Sequence, residues 1–362
     1  MKKKKIAVIG LKGLPAFGGA ATVGENIIEQ LKDKYDFTVY SLKSHTDKKT
    51  GYYNGYKQIV FPSIPIKRLC ITLYYFFSAI HCIFSRFDII HLHHNVSGLI
   101  IPLLRLTNKT IYTSHSTRIR ENFKKYSFIF TIVERMAVRL STITTSVSMT
   151  SLIDYKKIRK SNVYYIPNGI NEVNVKQNTN TKQNNYLFFS AGRILPSKGC
   201  HIFLGALNKI KYSKKVFIAG NTSFYTKEYE NSLFHLGKNL DIEFTGMIKD
   251  KERLFLYIKN ALLFIFPSSI EAMSIMLLEV ASTGTPIICS DIPENATIFT
   301  NEEVLFFETN NAIDLADKII WANKNIDIMT LKASKAKEKM ENQYLWKNIA
   351  NSYNELYIKL LK

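Results

Sequence analysis

Two glutamates lie eight positions apart in an otherwise apolar stretch of the chain. Glu271 follows the bulky run Ala261–Phe266, which predicts a buried strand, and Glu279 lies in an apolar segment that predicts a helix beginning near Ser274. The backbone N–H groups at that helix start, around Ser274 and Ile275, are of the kind that bind an anion such as a pyrophosphate. Carboxylates on either side would accept hydrogen bonds from sugar hydroxyls, Glu279 from a ribose and Glu271 from a transferable sugar.

Each glutamate also has an ordinary explanation. Taken alone, Glu271 is more typical of a solvated loop residue, and Glu279 would be an exposed residue of its helix. The second explanation is harder to sustain, because a charge in so apolar a helix needs a partner. Gly284 and Pro286 end the predicted helix, and another buried strand follows. The segment is therefore one strand–loop–helix–strand unit of a parallel sheet, which binds ligands beyond the carboxyl ends of its strands.

Two cations follow a second predicted strand. The run 186–191 predicts a buried strand, and the loop after it contains Arg193 and Lys198, with a helix predicted to begin near Ser197. Cations at such a place neutralise a departing diphosphate. Ordinary surface charge is the alternative explanation.

The first part of the chain begins with a strand, a glycine-rich loop and a helix. The loop has neither the Gly-x-Gly-x-x-Gly pattern nor a Walker A pattern. Gly18 and Gly19 allow the backbone to approach a ligand closely, although a tight turn explains their spacing equally well. Further on, His115 follows the predicted strand Thr110–Thr113, where a histidine is placed to meet a ligand.

Three other histidines form the sequence His-x-His-His at the end of a predicted strand: His91, His93 and His94. No neighbouring carboxylate or cysteine completes a metal site, so we interpret them as hydrogen-bonded structural groups. The four cysteines also lack metal or redox spacing and are typical of buried free thiols in a reducing compartment. We therefore expect no required metal and no other cofactor.

Strands and helices alternate along the whole chain, which predicts an α/β fold of two doubly wound domains. We place the domains at residues 1–170 and 186–342, with a polar linker at 171–185 and a terminal helix in 343–362. The apolar stretch 69–84 is too short to span a membrane. It predicts a helix packed in the core, with a helix lying in the membrane interface as the alternative.

The positive charge is concentrated in the first half of the chain. Residues 1–170 contain 26 Lys and Arg against 9 Asp and Glu, whereas the remainder contains 23 against 20. A basic half of this kind could bind an anionic membrane, an acidic substrate or nucleic acid. Alternatively, the positive charge only keeps the protein soluble. No zinc-finger or RNA-binding signature accompanies the charge, so nucleic acid is not expected. The basic residues Arg118, Arg120, Lys124 and Lys125 form either a solvated loop or an anion-docking site.

Several motifs resemble those of retaining glycosyltransferases of the GT-B fold, specifically glycosyltransferase family 4. The glutamate segment resembles the donor-binding signature, which is Glu, seven residues, Glu, a small residue and Gly-x-Pro. Gly192-Arg193 through Lys198-Gly199 matches the Gly-Arg-x-x-x-x-Lys-Gly element completely. Thr113-Ser-His115-Ser matches the family's histidine element in its histidine. The first glycine-rich loop resembles the corresponding loop of family members that build bacterial surface polysaccharides. Ala272 and Ser274 replace residues that are commonly glycine.

The resemblance implies two Rossmann-like domains facing each other across a cleft, with the last helix crossing back to the first domain. The second domain would bind a nucleotide-diphosphate sugar, and the first a saccharide or lipid-linked acceptor at the inner face of a bacterial membrane, in the cytoplasm. The residues implied to bind the nucleotide part of the donor sugar are Arg193, Lys198, Ser274, Ile275 and Glu279. Gly246 and Met247 would lie beside the base, and Gly18 and Gly19 near the phosphates. His115 and Glu271 would contact the sugar. The alternatives are a nucleotide-sugar 2-epimerase of the same shape, or a basic module that binds nucleic acid or lipid.

Overall fold

The computed structural model of the protein describes residues 2–16, 18–116, 127–173 and 185–362. The described chain divides into two compact units. The first unit comprises Met1–Gly169 together with Trp346–Lys362, and the second comprises Ile170–Leu345. The basic residues at 118, 120, 124 and 125 and residues 174–184 of the predicted linker lie outside the described residues.

The described residues form strands and helices in regular alternation. The strands are β1 (Lys4–Lys12), β2 (Tyr35–Leu42), β3 (Gly51–Tyr53), β4 (Tyr56–Phe61), β5 (Ile89–His93), β6 (Lys109–Ser114), β7 (Ile143–Ser146), β8 (Val163–Tyr165), β9 (Leu187–Arg193), β10 (Val216–Asn221), β11 (Ile242–Gly246), β12 (Leu263–Phe266), β13 (Ile287–Ser290) and β14 (Leu305–Phe307). The helices are α1 (Gly19–Leu31), α2 (Lys67–Ser85), α3 (Ile101–Leu104), α4 (Ser127–Leu140), α5 (Met149–Ile158), α6 (Cys200–Lys209), α7 (Lys227–Gly237), α8 (Lys251–Asn260), α9 (Ile275–Thr283), α10 (Pro293–Ile298), α11 (Ala312–Lys324), α12 (Ile326–Gln343) and α13 (Trp346–Leu361).

Each unit contains one sheet whose strand order reverses once. The first sheet has the order β3-β4-β2-β1-β5-β6-β7-β8 and is parallel except for the β3–β4 pair. The second has the order β11-β10-β9-β12-β13-β14 and is parallel throughout its described pairs. The direction of winding therefore changes between β1 and β5 and between β9 and β12. Ligands of doubly wound domains bind at such switch points, beyond the carboxyl ends of the strands.

The central strands consist of consecutive apolar residues because the side chains on both of their faces are buried. Leu263, Phe264 and Ile265 of β12 are all completely buried, because helices cover both faces of a parallel sheet. Burying one such side chain contributes about 1.5–3 kcal/mol, so these strands fix the sheet on which the loops stand. The prediction of two doubly wound α/β units is confirmed.

One hairpin and one helix start show how local geometry shapes these loops. The tyrosine-rich region Gly51–Gly55 forms strand β3 and the turn of the β3–β4 hairpin. Asn54 and Gly55 both have positive φ, as the two central residues of a tight hairpin turn require. The helix predicted near Ser197 begins at Cys200 instead, because Pro196–Lys198 forms a 3-10 turn and Gly199 is left-handed, with φ of 71°.

Helix α2 fits neither explanation of the stretch 69–84 completely. Buried side chains, among them Tyr74, Ala79 and Cys82, pack one side of the helix on the core. The other side exposes Phe76, Phe77 and Phe84, which are 49%, 48% and 81% exposed. Among the described helices, its segment Arg68–Ser85 is long and apolar enough to cross a membrane, and a third of it is buried.

The terminal helix α13 belongs to the first unit. Tyr353 and Tyr357 of this helix are fully buried. The Tyr357 hydroxyl lies 2.7 Å from Nδ1 of His91 in β5, and Tyr35 donates to Asn354 at 2.8 Å. The last residues of the chain therefore complete the core that begins with β1 and β2.

Candidate functional site

The loops after β9 and β12 are joined directly at the switch point of the second sheet. The backbone N–H of Ser269 donates to the carbonyl of Ser197 at 2.8 Å. A Cβ on Gly199 would lie 2.0 Å from the carbonyl oxygen of Pro267, so this approach requires glycine, as does the positive φ. The two loops therefore hold a fixed relation, and the charged side chains on them are brought together.

Lys198 and Glu271 form an ion pair across these loops. Lys198 Nζ lies 2.6 Å from Glu271 Oε1, and the side chains are 27% and 10% exposed. The sequence predicted a diphosphate for the lysine and a sugar for the glutamate, but it did not predict that they would bind each other. The pair lies at the carboxyl edge of the second sheet, where doubly wound domains bind ligands.

Arg193 is the last residue of β9 and is exposed at the same edge of the sheet. It is aligned with Asn221 of β10, and the N–H of the next residue, Ile194, donates to the Asn221 carbonyl at 3.0 Å. The predicted cations therefore lie on one loop, Arg193 at its start and Lys198 at its end. Both predicted cations thus lie on the loop that follows β9, and Glu271 compensates the charge of Lys198.

Helix α9 begins as the sequence predicted. Ser274 is its N-cap, and its hydroxyl accepts from the N–H of Leu277 at 3.3 Å. The N–H groups of Ile275 and Met276, in the first turn, have no partner within an α-helix and point out of the helix start. Gly284, with φ of 74°, ends the helix in a left-handed C-cap. The loop that contains Glu271 leads directly into this helix start.

Glu279 forms an ion pair, as expected for a carboxylate in apolar surroundings. Its side chain is 12% exposed, and Oε1 lies 2.8 Å from Nζ of Lys251, the first residue of α8. The expectation that this glutamate needs a partner is confirmed, although nothing in the sequence identified Lys251. Asp250 fixes the start of α8 by accepting from the N–H groups of Glu252 and Arg253.

A serine–asparagine contact that sequence analysis missed supports the loop after β12. Ser290 Oγ donates to the carbonyl of Ser268, and Asn295 Nδ2 donates to the Ser290 carbonyl at 3.0 Å. All three residues are buried. The loop that contains Glu271 is thus held from the β13 side as well as from the β9 side.

Gly246 and Met247 lie at the carboxyl end of β11, the edge strand of the second sheet. Gly246 has φ of 68°, and a Cβ built on it would meet no described atom within 4 Å. Met247 is 42% exposed. These residues share the carboxyl edge with Arg193 but stand two strands away from it, with β10 between them.

In the first unit, the loop after β1 ends in two open glycines. A Cβ on Gly18 or Gly19 would meet no described atom within 4 Å, and Gly18 has φ of 111°. The start of the loop is tied down, because Thr46 Oγ1 donates to the carbonyl of Leu14 at 2.7 Å. The glycines therefore border open space at the carboxyl end of β1, as close ligand approach requires.

Histidines from β5 and the end of β6 are in direct contact. His93 Nδ1 lies 3.0 Å from His115 Nε2, and the two rings stack. Beneath them, His91 is held by the hydroxyls of Tyr357 and Thr113, each at 2.7 Å. The interpretation of the His-x-His-His residues as hydrogen-bonded groups is confirmed for His91 and for His94, whose Nδ1 accepts from the N–H of Val96.

These histidines are neutral near pH 7. Burial lowers the pKa of His91 to about 3, and it lowers that of His115 to about 3 with a smaller contribution from His94. Burial, followed by the neighbouring His91 and His115, also holds the pKa of His93 well below its usual range. His115 is therefore a neutral imidazole with one donor and one acceptor nitrogen, and its Nε2 is engaged by His93.

A second network beneath His115 was also missed. Ser114 Oγ lies 3.1 Å from Glu134 Oε1 and 2.6 Å from the hydroxyl of Tyr155, which itself donates to Glu134. Glu134 is fully buried on α4. The apolar residues around it in the helix were a signal of the same kind as for Glu279. This network fixes the end of β6, from which His115 projects.

Comparison with protein families matches both parts of the chain. Residues 17–173 match the model described as Glycosyltransferase Family 4, and residues 172–341 match the model described as Glycosyl transferases group 1. An uncharacterised 41.2 kDa protein in the cps region of Klebsiella pneumoniae is 24% identical over 302 residues, covering 76% of this chain and 79% of the relative. An O-antigen chain mannosyltransferase of Salmonella typhimurium is 29% identical over 216 residues, or 56% of each chain.

Solved structures resemble almost the whole chain. Sucrose-phosphate synthase from Thermosynechococcus elongatus has a TM-score of 0.82, with 19% identity and 99% of both chains covered. HepE of Anabaena, determined in complex with UDP and glucose, has a TM-score of 0.78, with 16% identity, 98% of this chain and 100% of the other covered.

Two Rossmann-like units, each with candidate ligand-binding groups at the switch point of its sheet, define a protein of the GT-B fold. The two family models together span residues 17–341. The protein is a glycosyltransferase.

Proposed function

We propose that the protein transfers a sugar, with retention at the anomeric carbon, from a nucleotide-diphosphate sugar to a lipid-linked saccharide in bacterial surface polysaccharide synthesis. The observation that carries this proposal is the ion pair of Lys198 with Glu271 at the switch point of the second sheet. Arg193 lies at the start of the loop that contains Lys198, and the loop that contains Glu271 leads into α9. The names of the relatives from Klebsiella and Salmonella support the polysaccharide role. The complexes of HepE with UDP and with UDP-glucose support a nucleotide-sugar donor.

The charged groups of the second unit suit the departure of a diphosphate. Arg193, Lys198 and the outward N–H groups at the start of α9 would stabilise negative charge as it develops on the leaving group. Such preorganised groups take the role that a metal ion plays in other transferases, so we propose that no metal or cofactor is required. Glu279 would accept from the ribose hydroxyls, and Gly246 and Met247 would lie beside the base.

The remaining groups would act on the sugar and the acceptor. Glu271 would accept from hydroxyls of the transferred sugar, and neutral His115 would contact the same sugar, with Gly18 and Gly19 leaving room for the phosphates. We assign no residue as a covalent nucleophile. The leaving phosphate would assist deprotonation of the acceptor hydroxyl on the face from which it departs, which retains the anomeric configuration.

An apolar surface of the first unit supports a membrane-bound acceptor. We name the outward side of α2, α3 and α4 the apolar face; α3 packs against both of the other helices. Its exposed side chains are Leu69, Phe76, Phe77, Phe84, Leu103, Phe128 and Ile129. The strong positive charge of residues 1–170 complements an anionic bilayer. We therefore propose that this face rests on the inner surface of the cell membrane, where a lipid-linked acceptor is found.

Binding to lipid vesicles tests the membrane proposal. The protein should sediment with phosphatidylglycerol vesicles and less with phosphatidylcholine vesicles, and F76S/F84S should abolish most of this binding because two aromatic anchors are lost. Tyr52→Ser is the matched control, since Tyr52 is also an exposed aromatic, at 74%, outside the apolar face. Equal sedimentation of all three proteins would contradict the proposal.

Donor turnover tests the transfer itself. A thermal-shift screen of nucleotide sugars identifies the donor, because a bound ligand stabilises the folded state. With that donor, E271A, R193A and E279A should each lose about 2–4 kcal/mol of transition-state stabilisation, a rate loss of about 30- to 1000-fold. Glu302→Ala is the control, because Glu302 also pairs with a lysine, Lys335, but on the surface.

Two outcomes would contradict the proposal. Near-wild-type rates in all three variants would show that the switch-point residues do not bind the donor. Conversion of the donor to a new nucleotide sugar, with no acceptor present, would identify a 2-epimerase instead.

A further inference from the structure

His93 has one ring nitrogen engaged and one without a partner. Its Nδ1 contacts His115 Nε2 at 3.0 Å, whereas its Nε2 is buried and has no hydrogen-bond partner in the described part of the chain. The side chain is completely buried. A buried polar atom without a partner in a native structure calls for an explanation. In this pair, the absence of a partner at His93 Nε2 indicates which nitrogen of each ring bears the proton.

The contact between the two rings requires one proton between them. A neutral imidazole has one N–H and one bare nitrogen, so either His93 Nδ1–H or His115 Nε2–H is the donor. If His115 donated, the proton of His93 would sit on Nε2, leaving a buried N–H with no acceptor. Buried donors without a partner are rarer than unfilled acceptors. The favoured arrangement is therefore His93 Nδ1–H donating to His115 Nε2.

This arrangement fixes the proton of His115 on Nδ1. Because Nε2 accepts from His93, the neutral ring bears its hydrogen on the opposite side. No hydrogen bond of His115 Nδ1 occurs within the described residues, so this N–H remains available to a ligand.

The surroundings of His93 do not allow its ring to rearrange easily. A Cβ on Gly10 would lie 1.7 Å from the His93 carbonyl oxygen, so strand β1 packs directly against the backbone here. The His91 ring packs against His93 with centroids 4.2 Å apart and ring planes tilted by 32°, and His91 is itself held by Tyr357 and Thr113. The titratable side chains that face this pair are His91 and His94.

We infer that His93 is a positioning residue that keeps His115 in the Nδ1–H form, so that His115 donates a hydrogen bond to an oxygen of the transferred sugar. The inference rests on the proposed function for the identity of the ligand. The tautomer itself depends only on the geometry of the two histidines. The two parts can therefore be tested separately.

Nitrogen-15 NMR of histidine-labelled protein tests the tautomer without any activity measurement. Wild-type protein should show His115 protonated at Nδ1, with the assignment made from His115→Gln. His93→Asn should keep that pattern, because the asparagine amide places an N–H near the position of Nδ1. His93→Leu removes the donor and should shift the proton of His115 to Nε2 or to a mixture. A His115 already protonated at Nε2 in wild type would overturn the inference.

Kinetics with the donor found by the screen test the functional part. His93→Leu should lower kcat about three- to tenfold, the effect of one neutral hydrogen bond, and His93→Asn should restore most of it. Binding of UDP should not change in either variant, because the nucleotide groups lie in the second unit. His81→Asn is the control, since His81 is a hydrogen-bonded histidine on α2 of the same unit.

The results separate the two proposals. If wild type turns over no nucleotide sugar, the proposed function fails, and the NMR result still decides the tautomer. If wild type is active but His93→Leu matches it, or if His93→Asn fails to rescue a defective His93→Leu, the positioning role is refuted.

Discussion

Replacing Glu271 with glutamine should strengthen nucleotide binding while it weakens sugar transfer. Lys198 is engaged by Glu271 at 2.6 Å, so a diphosphate bound as proposed would have to compete with a carboxylate for the ammonium group. E271Q removes the competing charge and leaves Lys198 to the phosphates. The same change removes the carboxylate proposed to hold the transferred sugar, so the rate of transfer should fall.

The size of the effect follows from the burial of the pair. Two charges 2.6 Å apart attract by roughly 6 kcal/mol at an effective dielectric constant of about 20, but desolvation and side-chain ordering cancel most of this. Exposed pairs contribute about 0–1 kcal/mol, and this pair is more buried than those, with Glu271 10% exposed. We expect a net gain of about 1–1.4 kcal/mol, or about a five- to tenfold lower Kd for the nucleoside diphosphate.

Titration calorimetry with UDP, or with GDP if the screen selects a guanosine donor, measures this gain. A double-mutant cycle of E271Q, K198M and the double variant measures the competition between Glu271 and the diphosphate for Lys198. E271Q should have no effect on nucleotide binding once Lys198 is absent. Glu302→Gln, which removes a surface ion-pair partner of Lys335, should leave binding unchanged. Weaker nucleotide binding in E271Q, or an equal effect of E271Q with and without Lys198, would refute the reasoning.

Three further predictions concern stability. Gly199→Ala should lower the free energy of unfolding by about 2–4 kcal/mol in denaturant titration, because its φ is 71° and its Cβ would meet the Pro267 carbonyl at 2.0 Å; an unchanged midpoint would contradict this. Tyr357→Phe should cost about 1–2 kcal/mol by the same measurement, since it removes a buried 2.7 Å hydrogen bond to His91. The pKa of His91 is lowered from 6.5 to about 3, so the unfolded state binds a proton first as the pH falls. Stability should therefore be complete above pH 6.5 and should decrease by about 2 kcal/mol by pH 5 from this residue alone, a decrease that His91→Gln should remove if the cause is correct.

Periodicity and strand ends predicted much of the fold and the candidate site. Apolar runs such as β12 are recognisable because both faces of a parallel strand are buried. Ser274 and Gly284 mark the ends of α9 by residue type alone, as cap and left-handed terminator. The carboxyl end of a strand lies at the ligand-binding edge of such a sheet, which is why Arg193, at the end of β9, is predicted as a candidate donor-binding residue.

Partners from distant segments were not predictable in the same way. Lys251 and Glu279 are separated by 28 positions, and His93 and His115 by 22, so no local pattern connects them. The burial of Glu134 is likewise decided by Ser114 and Tyr155 on other elements. The sequence indicates that a buried charge needs a partner, whereas the order of the strands decides which residue is near enough.

The two ion pairs explain why the residue types of this site are acidic and basic in nearly equal number. Lys198 with Glu271 and Lys251 with Glu279 leave the donor-free site close to neutral, so neither carboxylate is half-buried without compensation. In the proposed complex, a diphosphate that engages Lys198 would release Glu271 as a sugar hydroxyl arrives to replace the lysine. A nucleoside diphosphate without a sugar would release the Glu271 carboxylate without supplying a hydrogen-bond donor to replace the lysine. Affinity for the intact donor should therefore exceed affinity for the nucleoside diphosphate in wild type, and this preference should disappear in E271Q, which a comparison of the two ligands by calorimetry decides.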